Sequence, residues 1–311
     1  MAAALPLPGP GPVGQPLDLA DDAAYARWRA WKLAHRPTRT EDLCVEVADP
    51  CALTPAERES MLWRIACGGV ALYRSPVDSE DRSLPRQLGA QLGVVQLDAN
   101  WLADEDGISS IAVSERSDAG SGRGGFIPYT DRPIRWHTDG YYHPSQRLIR
   151  AMILHCVRPA RSGGVNALLD PELAYIALRD QSPAHVLALM QPDAMTIPAR
   201  EDETGIARAA QTGPVFSVDG GGHLHLRYTA RTRSIAWKDD AATRAAVSAL
   251  EALLTETPWL HRVRLEPGMG LVGHNVLHDR SAFIDDPAAP RLLYRARFVD
   301  RIATPWDDAW R

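Results

Sequence analysis

Residues 135–140 read Arg135-Trp136-His137-Thr138-Asp139-Gly140. The run Ile134 to Tyr141 reads as a strand. Period-two alternation then puts His137 and Asp139 on one face and leaves Trp136, of opposite parity, to packing. Imidazole and carboxylate side by side hold a divalent cation, and with one distant histidine they make the facial triad of a non-haem iron site. The pair alone is also compatible with a structural His–Asp hydrogen bond, so its weight depends on what lies elsewhere.

Two later stretches supply that weight. Gly273-His274-Asn275-Val276-Leu277-His278-Asp279-Arg280-Ser281-Ala282-Phe283 offers His278 as the distant third ligand. Arg291-Leu292-Leu293-Tyr294-Arg295-Ala296-Arg297-Phe298 reads as a strand with Arg291, Arg295 and Arg297 on one face and apolar residues on the other. Three guanidinium groups on one face are either solvated or look into a cavity that receives carboxylates. A metal ligand just upstream favours the cavity.

Working outward, Thr54-Pro55-Ala56-Glu57 is a capping box that opens a helix to about Cys67, stopped by Gly68-Gly69. Val70 to Arg74 reads as a strand, and Leu84 to Leu92 as a helix with leucines four apart. Residues 98 to 128 read as irregular around the glycine-rich run 120–125. Strand-like pieces follow at Ala151 to Val157, Val165 to Leu169, Val215 to Val218, His223 to Tyr228, and across Val263 to Phe298. Helices are expected from Pro171 to Met190, interrupted at Pro183, and from Asp239 or Asp240 to about Leu254. Short strands without regular strand–helix alternation argue for a mainly β protein with helices. The expected architecture is a double-stranded β-helix (jelly-roll) core with an N-terminal helical extension and inserted helices. Residues 1–20, rich in Pro, Gly and Ala, read as a flexible arm, and 21–311 as a single domain.

The 311 residues are 23% charged and 45% apolar, with a formal net charge of −5. That balance suits a globular protein and argues against a nucleic-acid partner. No apolar run approaches the roughly 20 residues that cross a bilayer. The N-terminus lacks the basic start and apolar core of a secretory signal, so a cytoplasmic protein is expected, and self-association into a homo-oligomer stays open. Four cysteines, at 44, 51, 67 and 156, form no CxxC and no zinc-site spacing, which makes them free thiols. No internal repeat is present.

Other motifs are weaker. His223 and His225 share a strand face but have no neighbouring carboxylate in a matching motif. His274 and His278 stand four apart as in HExxH, with Asn275 where the general base would be. His143 reads as a surface residue more readily than as a substrate contact. The run 120–125 lacks the GKS or GKT ending of a phosphate loop and reads as a mobile loop at an active-site mouth.

Taken in order, these segments resemble the taurine dioxygenase and gamma-butyrobetaine hydroxylase family of Fe(II)/2-oxoglutarate enzymes. Tyr129-Thr130 with Trp136-His137-Thr138-Asp139-Gly140 is similar to its first metal motif, and Gly163-Gly164-Val165-Asn166 with Asp170 to its GGxT…D segment. Asn275, His278-Asp279-Arg280 and Phe283, followed by Arg291, resemble its closing motif. Weaker echoes occur at Gly69 to Arg74 and Leu88 to Gly93. The resemblance implies His137, Asp139 and His278 as iron ligands and Arg291 as the partner of the distal 2-oxoglutarate carboxylate. It places Arg295 near the cosubstrate, and Asn166 where many members have a threonine that hydrogen-bonds it. The implied cofactors are Fe(II), 2-oxoglutarate as cosubstrate, and O2. The implied reaction is hydroxylation of an unactivated C–H in a small anionic or amino-acid-like substrate, with release of succinate and CO2. A carboxylate at Asp139 favours hydroxylation over halogenation. Arg295, Arg297 and Arg227 are the candidate cations for an anionic substrate, and 196–233 a candidate lid. The alternatives are a cupin-like metalloenzyme that does not use 2-oxoglutarate, and a non-catalytic jelly-roll binding protein.

Overall fold

The computed structural model describes residues 14–98, 106–113, 126–202, 205–231 and 235–307. The glycine-rich run 120–125 lies outside them. Among these residues the first helix, α1 (Asp22–His35), is followed by β1 (Cys44–Glu46) and α2 (Pro55–Gly68). The capping box of α2 forms as its sequence dictates: Glu57 N–H donates to Thr54 Oγ1 (3.3 Å), and Thr54 N–H donates to Glu57 Oε2 (2.7 Å). Gly69 ends the helix at φ +74° and hands the chain to β2 (Val70–Arg74). Next come α3 (Leu84–Gln91) and β3 (Ser109–Ile111). β3 is a three-residue strand inside the region expected to be irregular.

Next are β4 (Ile134–His137), β5 (Ala151–Arg158), β6 (Asn166–Leu169), α4 (Pro171–Gln181) and α5 (Pro183–Leu189). The break between the two helices falls at Ser182-Pro183, because the proline cannot donate into a continuing helix. α6 (Ala241–Glu256) is capped by Asp240, which accepts from Thr243 N–H at 2.7 Å. The chain then forms β7 (His261–Val263), β8 (Met269–His274), β9 (Leu277–Arg280) and β10 (Leu292–Phe298).

Two sheets organise the centre. One runs β1-β2-β8-β5-β10-β3, antiparallel except for the β1–β2 pair, and the other runs β7-β6-β9-β4, antiparallel throughout. Side-chain alternation sorts residues into layers. Val70, Leu72, Met152, Leu271 and Leu293 of the larger sheet meet Leu168 and Val263 of the smaller one. Ala71, Tyr73, Ile153, Val272 and Phe298 point the other way, under Met61, Leu62 and Ile65 of α2 and Leu88 of α3. Leu169 and Leu277, paired across β6 and β9, face a third cluster built from α1, α4, α5 and α6.

Two expectations need correction. The strand expected over Ile134 to Tyr141 stops at His137, because Gly140 turns the chain at φ +67°. A Cβ there would lie 2.5 Å from Ile149 Cγ1 and 2.6 Å from His143 Cδ2, so no other residue fits. The arm expected to be flexible over 1–20 is, in its described part, held against α4. Leu17 is buried, Tyr175 Oη donates to its carbonyl, and Arg179 Nη1 donates to the carbonyls of Pro16 and Asp18.

Candidate active site

The inner face of the smaller sheet carries two of the three sequence-predicted ligands. His278 of β9 pairs in register with His137 of β4, and their rings lie 4.2 Å apart between centroids. Each ring is oriented through its Nδ1: that of His137 faces the Arg135 carbonyl at 2.9 Å, and that of His278 the Val276 carbonyl at 2.9 Å. Donation from Nδ1 fixes the tautomer and leaves Nε2 of both rings as a lone-pair donor. Asp139 reaches the same point from the turn that follows β4 rather than from the strand face. Ligand atoms of His137, Asp139 and His278 all lie within 4.8 Å of one another, and this is the one such group among the described residues.

The turn holding Asp139 is clamped by a residue quoted in the closing motif but given no role from sequence. Asn275 Oδ1 accepts from Asp139 N–H (2.8 Å), and its Nδ2 donates to the carbonyls of Asp139 (2.7 Å) and Ile149 (2.9 Å). Thr138 Oγ1 accepts from Tyr228 N–H at 3.1 Å. Replacing Asn275 with alanine is expected to cost about 2–4 kcal/mol of stability and about 10–100-fold in metal affinity. Urea unfolding together with metal titration checks both numbers.

Asp139 itself is 5% exposed. Burial pushes its carboxyl up, but Arg295 at 3.3 Å and Arg297 at 4.0 Å outweigh it and hold the pKa well below the usual range. Its Oδ2 is buried without a hydrogen-bond partner. Burial, then the neighbouring His278, pushes the His137 imidazole down to about 3. An ionised carboxylate with one unpaired oxygen beside two imidazoles is the donor set a divalent iron ion requires.

The arginine face of β10 divides by partner. Arg291 precedes the strand, is 4% exposed, and has no hydrogen bond or ion pair to its guanidinium among the described residues; it stacks on Phe283, 5.0 Å from the ring centroid. It lines a small cavity with Asn166, Gly163, Gly164 and Leu293. Asn166 Nδ2 is also buried and unpartnered. Gly163 is required here, since a Cβ would meet the Ala282 carbonyl at 2.3 Å. A buried guanidinium and a buried amide, both unsatisfied in one cavity, suit a carboxylate-bearing ligand.

Arg295 sits against Asp139, whereas Arg297 is already neutralised by Asp98 at 2.6 Å and donates to Tyr142 Oη at 3.2 Å. Arg227 is a structural clamp that donates to the carbonyls of Tyr141, Met195 and Gln211. Arg297 and Arg227 are therefore not the open cations expected from sequence. His143 is buried rather than on the surface, 3.5 Å from Asp98. His223 bonds Asp219 and His274 faces the Ile302 carbonyl, so neither they nor His225 joins the metal-capable group.

Asp98 was not singled out from sequence. It is 2% exposed and also bonds Arg147 at 2.6 Å. Burial raises its pKa, but the neighbouring His143 and the charges of Arg297 and Arg147 reverse this and bring it to about 2. Because the folded value lies below the unfolded value of about 3.9, the stabilisation is complete above that value. It is lost as pH falls from there through about 2. Asp98→Asn is expected to remove about 3–5 kcal/mol at neutral pH and to flatten this part of the acid limb in urea melts.

The sequence profile described as the taurine catabolism dioxygenase TauD, TfdA family matches residues 36–297. Uridine-5'-phosphate dioxygenase of an Amycolatopsis species is 35% identical over 171 residues, 53% of this chain and 60% of the relative. The protein of that name from a Streptomyces species is 32% identical over 174 residues, 54% and 62% of the two chains. The match thus spans about three fifths of the length of these curated relatives. Among solved structures, PvcB of Pseudomonas aeruginosa is similar at TM-score 0.53 and 17% identity, covering 82% of this chain and 84% of that one. Asparagine oxygenase in complex with Fe(II), 2S,3S-3-hydroxyasparagine and succinate is similar at TM-score 0.54 and 16% identity, covering 91% and 92%. AAD-2 in complex with Mn(II) and N-oxalylglycine gives 0.57 and 14%, covering 85% and 96%. At these identities the likeness is one of fold. The family match runs through both ends of the metal-capable group and through the Arg291 cavity, and the chain belongs to the TauD, TfdA family of Fe(II)- and 2-oxoglutarate-dependent dioxygenases.

Proposed function

We propose that this protein hydroxylates a C–H bond of a small anionic molecule at an Fe(II) centre held by His137, Asp139 and His278, on a double-stranded β-helix core. The observation that carries the reading is the unpartnered, buried Asp139 Oδ2 beside two imidazoles anchored through Nδ1. Bound iron with 2-oxoglutarate and O2 supplies the oxidising power, and succinate and CO2 leave with the hydroxylated product.

The chain's own part is placement. Arg291 binds the distal carboxylate of 2-oxoglutarate by a charge-assisted pair, and Asn166 Nδ2 donates to the same molecule. Arg295 keeps Asp139 ionised and in place. The uridine-5'-phosphate dioxygenases among the relatives make an anionic nucleotide the first substrate to try.

The test is anaerobic addition of Fe(II) and then 2-oxoglutarate, read by the weak visible charge-transfer band of the chelate. A band that His137→Ala removes supports the reading, and succinate release with uridine-5'-phosphate then addresses the substrate. Iron binding without any band would overturn 2-oxoglutarate use and favour the cupin-like alternative.

A further inference from the structure

Residues 96–98 run beside the end of β10. Leu97 bridges Phe298, Val299 N–H donates to the Gln96 carbonyl at 3.0 Å, and Asp98 N–H donates to the Arg297 carbonyl at 2.8 Å. Asp98 and Arg297 are thus joined through the backbone as well as through their side chains. Both side chains are buried, and Arg297 Nη2 donates to Asp98 Oδ2 at 2.6 Å. Asp98 Oδ1 accepts from Arg147 Nη2 at 2.6 Å, so each of its oxygens holds an arginine.

The other prong of Arg297 faces the candidate metal site. Its Nη1 donates to Tyr142 Oη at 3.2 Å and lies 4.0 Å from Asp139 Oδ1. Arg295 Nη1 donates to that same Oδ1 at 3.3 Å. Both arginines therefore meet one oxygen of Asp139, and Oδ2 is left buried without a partner. Among the described residues, Asp98 and Asp139 are the two carboxylates within ion-pair range of Arg297. A buried guanidinium that loses one of them turns to the other, because a buried charge left unpaired is strongly destabilising. The arginine fork engages both oxygens of a carboxylate in parallel. On Asp139, such a pair would occupy the oxygen that a metal ion needs.

We infer that Asp98 is a positioning residue of the metal centre, which holds Arg297 away from Asp139 Oδ2 and so keeps that oxygen open to the metal. The inference rests on the ligand set proposed above and adds to it a residue that touches no ligand side chain itself. Two arginines converge on one carboxylate, and Asp98 takes up the charge of the second.

The experiment is titration of metal-free protein with Mn(II), the free ion being counted by its electron paramagnetic resonance signal. Asp98→Asn is expected to bind Mn(II) about tenfold or more weakly than the wild type. Arg297→Met, which removes a positive charge near the ligand, is expected to bind at least as tightly as the wild type. Asp98→Asn/Arg297→Met, which lacks the competitor as well as its counter-ion, is expected to lie within about threefold of Arg297→Met. Unchanged affinity in Asp98→Asn, or the same loss in the double variant, would overturn the inference, since a merely structural role does not depend on Arg297. Circular dichroism checks that each variant is folded. If Asp98→Asn alone does not fold, the Arg297→Met background decides: affinity kept there on adding Asp98→Asn supports the inference, and a loss of about tenfold overturns it. His137→Ala separates the two readings. Mn(II) binding retained in His137→Ala would overturn the ligand set and the inference together, whereas binding lost there and unchanged in Asp98→Asn would overturn the inference alone.

Discussion

Asp139→Ala is expected to reduce hydroxylation at least about a thousandfold and to abolish tight Fe(II) binding. The effect is large because two roles end together. Iron loses the one anionic ligand of the three, and Arg295 and Arg297 lose the carboxylate at 3.3 and 4.0 Å that offsets them. The ligand cluster loses its one negative charge while Arg295 stays beside it, and the uncompensated guanidinium repels a divalent cation. Asp139→Asn separates these contributions, since it keeps the shape and removes the charge. Metal titration and succinate release measure both variants, and retained turnover in Asp139→Ala would show that the ligand set is wrong.

Arg291→Ala is expected to raise the 2-oxoglutarate concentration needed for half-maximal chelate formation by about a hundredfold or more, with Fe(II) affinity changed less than about threefold. Truncating one member of a buried charge pair costs about 2–5 kcal/mol, because the other charge is left without a partner. Here the guanidinium has no protein counter-ion among the described residues, so its loss leaves the fold's own pairing intact. Arg291→Lys keeps the charge and loses the two-pronged geometry, and it should fall between the two. Equal loss of iron and 2-oxoglutarate binding in Arg291→Ala would sink the assignment.

Much of the candidate site is legible because its residues are local in sequence or of rare types. His137 and Asp139 are two positions apart, and His278 and Arg291 lie within one short stretch. Asn166 carries an amide donor, and the structure leaves that donor buried and unpartnered. The strand over Ile134 to Tyr141 was misjudged in length although the Asp139-Gly140 dipeptide is itself a turn signal.

What could not be read is pairing over long separations. Asp98 neutralises Arg297 from 199 residues away, and Asn275 clamps Asp139 from 136. An arginine's partner depends on the fold, so Arg291, Arg295 and Arg297 looked equivalent on alternation alone. Three-residue strands such as β3 carry too little periodicity to separate from loop. β3 exists because β10 offers it an edge.

The Asn275 clamp also says how iron arrives. Because both backbone groups of Asp139 are bonded to one side chain, the ligand turn acquires its shape when the protein folds and not when the metal enters. The ordering entropy is spent once, during folding, unlike in a zinc finger, where metal and fold come together. On the proposed ligand set, iron would be an exchangeable part seated in a finished socket. Chelation should strip it without a change in circular dichroism, and the stripped protein should reload at a rate set by access to the site rather than by refolding.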